Sequence, residues 1–205
     1  MRAIVFVAAA ALGFLSAHAW AQNPPSDTVP VRVRGTVETL DGQNLVVKSR
    51  DGQTLTVALA PNYTVSALAK KTIADVKDND YIASTGIKGT DGKLHCIELR
   101  IFPEALRGTA EGQFPWDGRA DAMMTNATVT GLATATGGQT VKVKFKGSES
   151  EFVVGAECQV FAYVNGDPAL LKPGAAVFMV AQKKPDGSLT AARVTAEKDG
   201  VKPPM

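Results

Sequence analysis

The feature that most constrains this chain is an internal repeat. A segment from Val31 to Ile101 is followed by another from Ala127 to Ala196 that carries the same landmarks in the same order. Gly35-Thr36-Val37 corresponds to Gly131-Leu132-Ala133, and Asp41-Gly42-Gln43 to Gly137-Gly138-Gln139. Leu45-Val46-Val47-Lys48 corresponds to Val141-Lys142-Val143-Lys144, and Asp91-Gly92-Lys93-Leu94 to Asp186-Gly187-Ser188-Leu189. The offset stays at about 95 residues throughout, which is the signature of a duplicated unit rather than of one turn copied by chance. The repeat divides the chain into a first unit over 31–102, a joining segment over 103–126 and a second unit over 127–197.

Each unit reads as strands punctuated by turns. Val31 to Leu40, Asn44 to Ser49 and Thr54 to Leu59 alternate apolar and polar residues, separated by Asp41-Gly42 and Asp51-Gly52. Asp-Gly between alternating runs predicts a hairpin, because both residues tolerate the positive φ of a tight turn. Ser66 to Val76 places Leu68, Ile73 and Val76 at rough helical spacing behind Ser66 as a cap, which predicts a short helix. Tyr81 to Ile87 and Leu94 to Ile101 complete the unit as a second hairpin around Asp91-Gly92. In the second unit Asp167 to Leu171 stands where the helix falls, ended by Pro173-Gly174. Three strands, a helical turn and two strands is the element order of the five-stranded OB barrel. The fold class predicted is therefore all-β: two tandem small OB-like barrels, each with a short helix between its third and fourth strands.

The G-x-V opening, the Asp-Gly hairpins, the short helix and the final D-G-x-L strand resemble a family of exported bacterial OB-like domains of unknown function. Such domains often occur in tandem, and the resemblance covers both units but not Pro103 to Asn126. It implies a periplasmic β-barrel and supplies no catalytic residues. Gly147-Ser148, where the first unit has Asp51-Gly52, departs from the pattern in a turn only.

The N-terminus points to the same compartment. Arg2 precedes an almost wholly apolar run from Ala3 to Ala17, followed by Ala17-His18-Ala19 and Ala19-Trp20-Ala21. A basic start, an apolar stretch and an A-x-A site form a secretory signal, and the run is shorter than the roughly 20 residues of a membrane span. Cleavage after Ala21 is the prediction, giving a periplasmic or secreted mature chain. No cysteine follows the cleavage site to carry a lipid, and no later stretch is apolar enough to cross a membrane. The formal charge of +2 includes Arg2, so the mature chain carries about +1, too little to gather nucleic acid or anionic lipid by its field.

Recognised chemistry is sparse. No H-E-x-x-H, C-x-x-C or G-x-S-x-G occurs, and no cofactor or metal is predicted. Gly86 to Leu94 has the wrong glycine spacing for a phosphate loop and lies in a strand–turn–strand, not at a helix N-terminus. Asp75, Asp78 and Asp80 lack the spacing of a calcium loop, and read as a solvated turn. Met123, Met124 and His95 offer soft and imidazole ligands for copper, without the spaced pairs that would make a site. Cys96 and Cys158 lie in an oxidising compartment. Strand alternation puts Cys96 with Glu98 and Arg100 toward solvent and Cys158 with Phe152, Val154 and Val160 toward a core, which predicts two free thiols unless a bulge intervenes.

The joining segment gathers Arg107, Glu111, Phe114, Trp116, Asp117 and Arg119, whereas the units are poor in aromatics. Aromatics beside Arg and acids are the composition of a recognition surface, and these six are the candidate ligand-binding residues. The competing reading has Phe114 and Trp116 filling a seam between domains while the charges pair on the surface. These observations predict a non-catalytic periplasmic binding or interaction protein with a small ligand or envelope protein as partner. A hydrolase using Glu111 and Asp117 as paired carboxylates is the alternative, with copper binding behind it. Single-stranded nucleic acid fits neither the charge nor the scarcity of aromatics. Sequons at Asn62 and Asn126 bear on glycosylation only in a eukaryotic host.

Overall fold

A computed structural model describes residues 27–135 and 138–204. The predicted signal segment, its expected cleavage site and Gly137 lie outside the described residues. The fold is all-β. Twelve strands run in chain order as β1 (Val29–Asp41), β2 (Asn44–Ser49), β3 (Thr54–Lys71), β4 (Tyr81–Lys88), β5 (Leu94–Ile101), β6 (Gly112–Pro115), β7 (Ala122–Ala135), β8 (Gly138–Phe145), β9 (Ser148–Val154), β10 (Gln159–Asn165), β11 (Ala176–Lys183) and β12 (Leu189–Ala196). Among the described residues no helix is long and apolar enough to cross a membrane.

The hairpins fall where the turn residues put them. Gly42 and Gly92 adopt φ of 56° and 79°, so the Asp-Gly pairs turn in the left-handed region that glycine enters without strain. Gly35 answers a different need. A Cβ there would lie 2.2 Å from the Lys48 carbonyl oxygen, so the close approach of β1 to β2 requires glycine.

The strands close into two five-stranded cycles. In barrel I, β1 pairs with β2 and β11, β2 with β3, β11 with β12, and β12 lies parallel to β3. In barrel II, β4 pairs with β5 and β7, β7 with β8, β8 with β9, and β5 lies parallel to β9. Each cycle has the strand order expected of one unit, but its members come from both. The first three strands of 31–102 close on the last two strands of 127–197, and the reverse holds in barrel II. The contiguous domains predicted at 31–102 and 127–197 are therefore not the closed units of the structure. Hairpin signals fix neighbours a few residues apart, and they do not decide which distant strand completes a cycle.

The predicted helix over Ser66–Val76 is also corrected. Residues up to Lys71 continue β3 and pair antiparallel with β10, and only Ile73–Asp75 forms a turn of 3-10 helix. Ala67 and Leu68 are buried in that pairing, while Ser66 Oγ meets Thr195 Oγ1 at 3.0 Å instead of capping a helix. Burial against a neighbouring strand overrides a weak helical preference. In the second unit Pro168–Leu170 is likewise one 3-10 turn, capped by Asp167 accepting from the Ala169 amide.

Each barrel has its own apolar core. Val33, Val37, Leu45, Val47, Val57 and Met179 fill barrel I with small residues from β11 and β12, and Ile82, Leu99, Val129, Val141, Val143 and Phe152 fill barrel II. A fully buried aliphatic side chain of this kind contributes about 1.5–3 kcal/mol relative to exposure.

Cys96 and Cys158 are joined in a disulfide, overturning the prediction of two free thiols. The register of β5 against β4 slips between Thr85 and Gly86, so Glu98 and Cys96 oppose consecutive residues and Ile97 is left over. That bulge reverses the strand's facing, and Cys96 lies inside barrel II, only 4 % exposed. The bridge ties a strand of the first unit to a loop of the second.

Candidate functional site

The joining segment is ordered against both barrels. Glu104–Leu106 makes a 3-10 turn, β6 adds to the free side of β7, and a tight turn follows in which the Trp116 amide donates to Ala122 and the Ala122 amide to Arg119. Trp116 lies against Gly118, where a Cβ would come within 2.6 Å of the indole. This turn projects Asp117 toward barrel I.

There Asp117 meets Arg34 on β1 in a bidentate pair, Nη1 at 2.9 Å and Nη2 at 3.0 Å from its two oxygens, with Arg32 at 3.7 Å. Arg34 also donates through Nε to the Pro204 carbonyl and stacks 5.0 Å from the Phe178 ring centre. Partial burial works against the Asp117 charge, but the Arg34 hydrogen bonds with the Arg34 and Arg32 charges hold its carboxyl below the ordinary 3.8.

The same turn forms one side of a cleft between the barrels. Outward-facing Phe178 and Val180 of β11 look across to Arg100, Ala83 and Met124 of barrel II, with Phe102 and Tyr163 between. Phe102 stacks on Tyr163 at 4.9 Å and leans on Tyr81 at 5.4 Å. The larger part of the cleft holds about 610 Å³ and is mainly apolar. A smaller hollow of about 150 Å³ continues it toward Arg100, Asn126, Trp116 and Asp117. Phe102, Thr109, Ala110, Tyr163, Phe178 and Val180 line both parts. A concave, apolar space of this size with a few polar groups at one end is the form of a small-molecule site.

Arg100 is the unusual residue of that end. It is 5 % exposed, and its Nη1 reaches the Tyr163 hydroxyl at a long 3.4 Å. Its Nε lies 2.7 Å from Glu98 Oε1, but the angle is poor and neither atom completes a hydrogen bond. Nη2 has no partner among the described residues. A buried N–H left unmade costs about 1–3 kcal/mol. Among the described residues Asn126 Oδ1, in the same hollow, is also without a donor, although its Nδ2 donates to the Thr109 and Ala110 carbonyls.

The six candidate residues divide. Phe114, Trp116 and Asp117 line the cleft. Arg107 is bound by Glu104 at 2.6 and 2.7 Å and donates to the Asn79 carbonyl, pinning the segment to barrel II. Glu111 accepts from the Lys146 amide at 2.9 Å, and Arg119 pairs with Asp121 at 2.6 Å. Glu111 and Asp117, the carboxylates of the hydrolase alternative, are thus held by partners on different barrels. The copper candidates separate as well. Met124 is buried beside Thr85, while His95 is exposed on β5, 3.0 Å from Asp91 of the preceding turn.

Arg34, Arg100, Phe102, Tyr163 and Phe178 were not candidates from sequence. Each lies in a strand or its flank where alternation marks only an outward-facing position, and nothing local distinguishes an outward face that meets another barrel from one that meets water. No family model, no curated protein and no solved structure matches the chain.

Proposed function

We infer that this is an exported, non-catalytic binding protein of the periplasm, built from two copies of one OB-like unit that have exchanged their last two strands. The cleft between the barrels is its binding site. The observation that carries this reading is the mainly apolar hollow of about 610 Å³ walled by barrel I, the joining segment and β10, continued by the hollow of about 150 Å³ that reaches barrel II and its buried, incompletely partnered Arg100. The joining segment, read from sequence as the place of recognition, supports one side of the cleft through Trp116 and Asp117.

A thermal-shift screen of the mature protein against metals, sugars, nucleotides, envelope fragments and apolar small molecules tests the reading. A ligand that binds only the folded state raises the melting temperature by mass action. A hit lost in both Trp116→Ala and Phe178→Ala places binding in the cleft. A blank screen, or a hit indifferent to both substitutions, removes the cleft as the site. N-terminal sequencing of protein recovered from periplasm, beginning at Gln22, checks export and cleavage.

A further inference from the structure

Resting on the cleft as the binding site, we propose the chemical class of its ligand: a small amphiphile with an apolar body and a single carboxylate, whose head group is taken by Arg100. The two ends of the cleft differ in chemistry. The large end is mainly apolar, presenting Phe102, Tyr163, Phe178, Val180 and Leu106, with Gln182, Thr190 and the exposed Arg193 among its polar residues. The small end contributes three guanidinium groups, Arg32, Arg34 and Arg100, against the Asp117 carboxylate in its lining and the Glu98 carboxylate beside Arg100.

These three arginines are not equivalent. Arg34 is saturated by Asp117, the Pro204 carbonyl and the Phe178 ring, and Arg32 is half exposed beside the same carboxylate. Arg100 alone is both buried and short of partners. Its charge contact with Glu98 is short but poorly angled, and it leaves Nη2 unmet and Nη1 on a long bond to Tyr163. A planar guanidinium presents paired donors that match the two oxygens of a carboxylate, and such a bond is shorter and stronger than the one Tyr163 supplies. Tyr163 bridges the ends: its ring stacks on Phe102 in the apolar part while its hydroxyl touches Arg100. An anion entering the small hollow therefore has its apolar remainder directed past Tyr163 into the larger one. A cationic amphiphile would meet three like charges there, and a neutral one would leave Arg100 as it is.

The test is calorimetric titration of the mature protein with decanoate, decan-1-ol and the neutral dye N-phenyl-1-naphthylamine, all below micellar concentration. Decanoate is expected to bind about tenfold or more tightly than decan-1-ol. Arg100→Met with Glu98→Gln removes both charges together, so no buried carboxylate is left uncompensated. In that double variant decanoate falls to the affinity of decan-1-ol, while decan-1-ol and the dye are unchanged. Val180→Asp, at a position 48 % exposed on the rim, weakens all three. Equal binding of decanoate and decan-1-ol, or discrimination that survives in the double variant, overturns the assignment of the head group to Arg100. In either case dye binding that is lost in Val180→Asp leaves the cleft as the site. Failure of all three probes overturns both the ligand class and the cleft.

Discussion

Leu68 and Tyr163 face each other across the antiparallel pair of β3 and β10. They are also separated in sequence by the same interval, about 95 residues, that separates the repeated landmarks. A position paired with its own counterpart is what a local two-fold axis produces. At this crossing β3, which runs on from barrel I, meets β10, which lies parallel to β5 of barrel II. From this crossing the chain hands each unit's last two strands to the opposite barrel. The proposed duplication would make this arrangement a swapped dimer contained in one chain.

Exchange predicts which residues are energetically coupled. Val65 on β3 is registered against Val194 on β12, and both lie in the core of barrel I. A double-mutant cycle of Val65→Ala and Val194→Ala should give a coupling of about 0.5–3 kcal/mol in urea unfolding. Contiguous barrels would instead set β3 against β5. The corresponding cycle of Val65→Ala with Leu99→Ala should be additive within about 0.5 kcal/mol. Coupling in the second cycle and not in the first would refute the exchange.

The bridge between Cys96 and Cys158 spans 62 residues of chain and holds the two units together. Removing the cross-link frees the unfolded chain, and replacing both cysteines with Ala should lower stability by about 2–4 kcal/mol. Reductant should shift the urea midpoint of the wild type but not of the double variant. Thiol titration of the unfolded, unreduced wild type should find no free thiol; two free thiols would show that the bridge does not form.

Strand positions were legible because Asp-Gly turns and alternation are local signals. The bounds of β1, β2, β4 and β5 fall within two residues of those predicted from sequence. What was not legible depends on distant partners. The extension of β3 through Ser66–Lys71 exists because β10 lies beside it, and the exchange depends on the parallel pairings of β12 with β3 and of β5 with β9, both between residues far apart in the chain. The facing of Cys96 turned on one unpaired residue, Ile97, which no local pattern marks. At the site, Phe114, Trp116 and Asp117 stood out by composition. Arg100 and Phe178 did not, since an outward-facing strand residue reads as surface until the second barrel is known.

Tyr81 should titrate late. Burial of its ring pushes the phenol up to about 12, with the Glu111 carboxylate adding to the shift and Arg107 opposing it. Its hydroxyl donates to the Thr109 carbonyl at 3.0 Å, which also favours the protonated form. A phenol whose pKa is raised by folding contributes stability that is complete below its unfolded value of 10.0 and is lost as pH rises toward 12. Ultraviolet titration should therefore show one tyrosine ionising near 12, absent in Tyr81→Phe. The alkaline fall of the melting temperature should be shallower in that variant between pH 10 and 12. A single tyrosine transition near 10 that accounts for all three residues would contradict the buried environment.

Asp117 should govern part of the acid limb. Its carboxyl, held below 3.8 by Arg34 and Arg32 in spite of partial burial, favours the folded state while it is ionised. The sign follows from linkage: a depressed pKa gives stability that is present above the unfolded value and is lost as pH falls through the folded one. Asp117→Asn should therefore lower the melting temperature at pH 7, and the gap to the wild type should close as pH falls below 3.8. Asp75, Asp91, Glu104, Asp121 and Asp186 are depressed in the same range, so the difference between variant and wild type carries the information, not the wild-type curve alone. Because the side chain is 40 % exposed, salt should shrink the gap at pH 7 as well. A gap that stays constant from pH 7 to pH 2 would show that Asp117 contributes through packing of the Trp116 turn and not through its charge on Arg34.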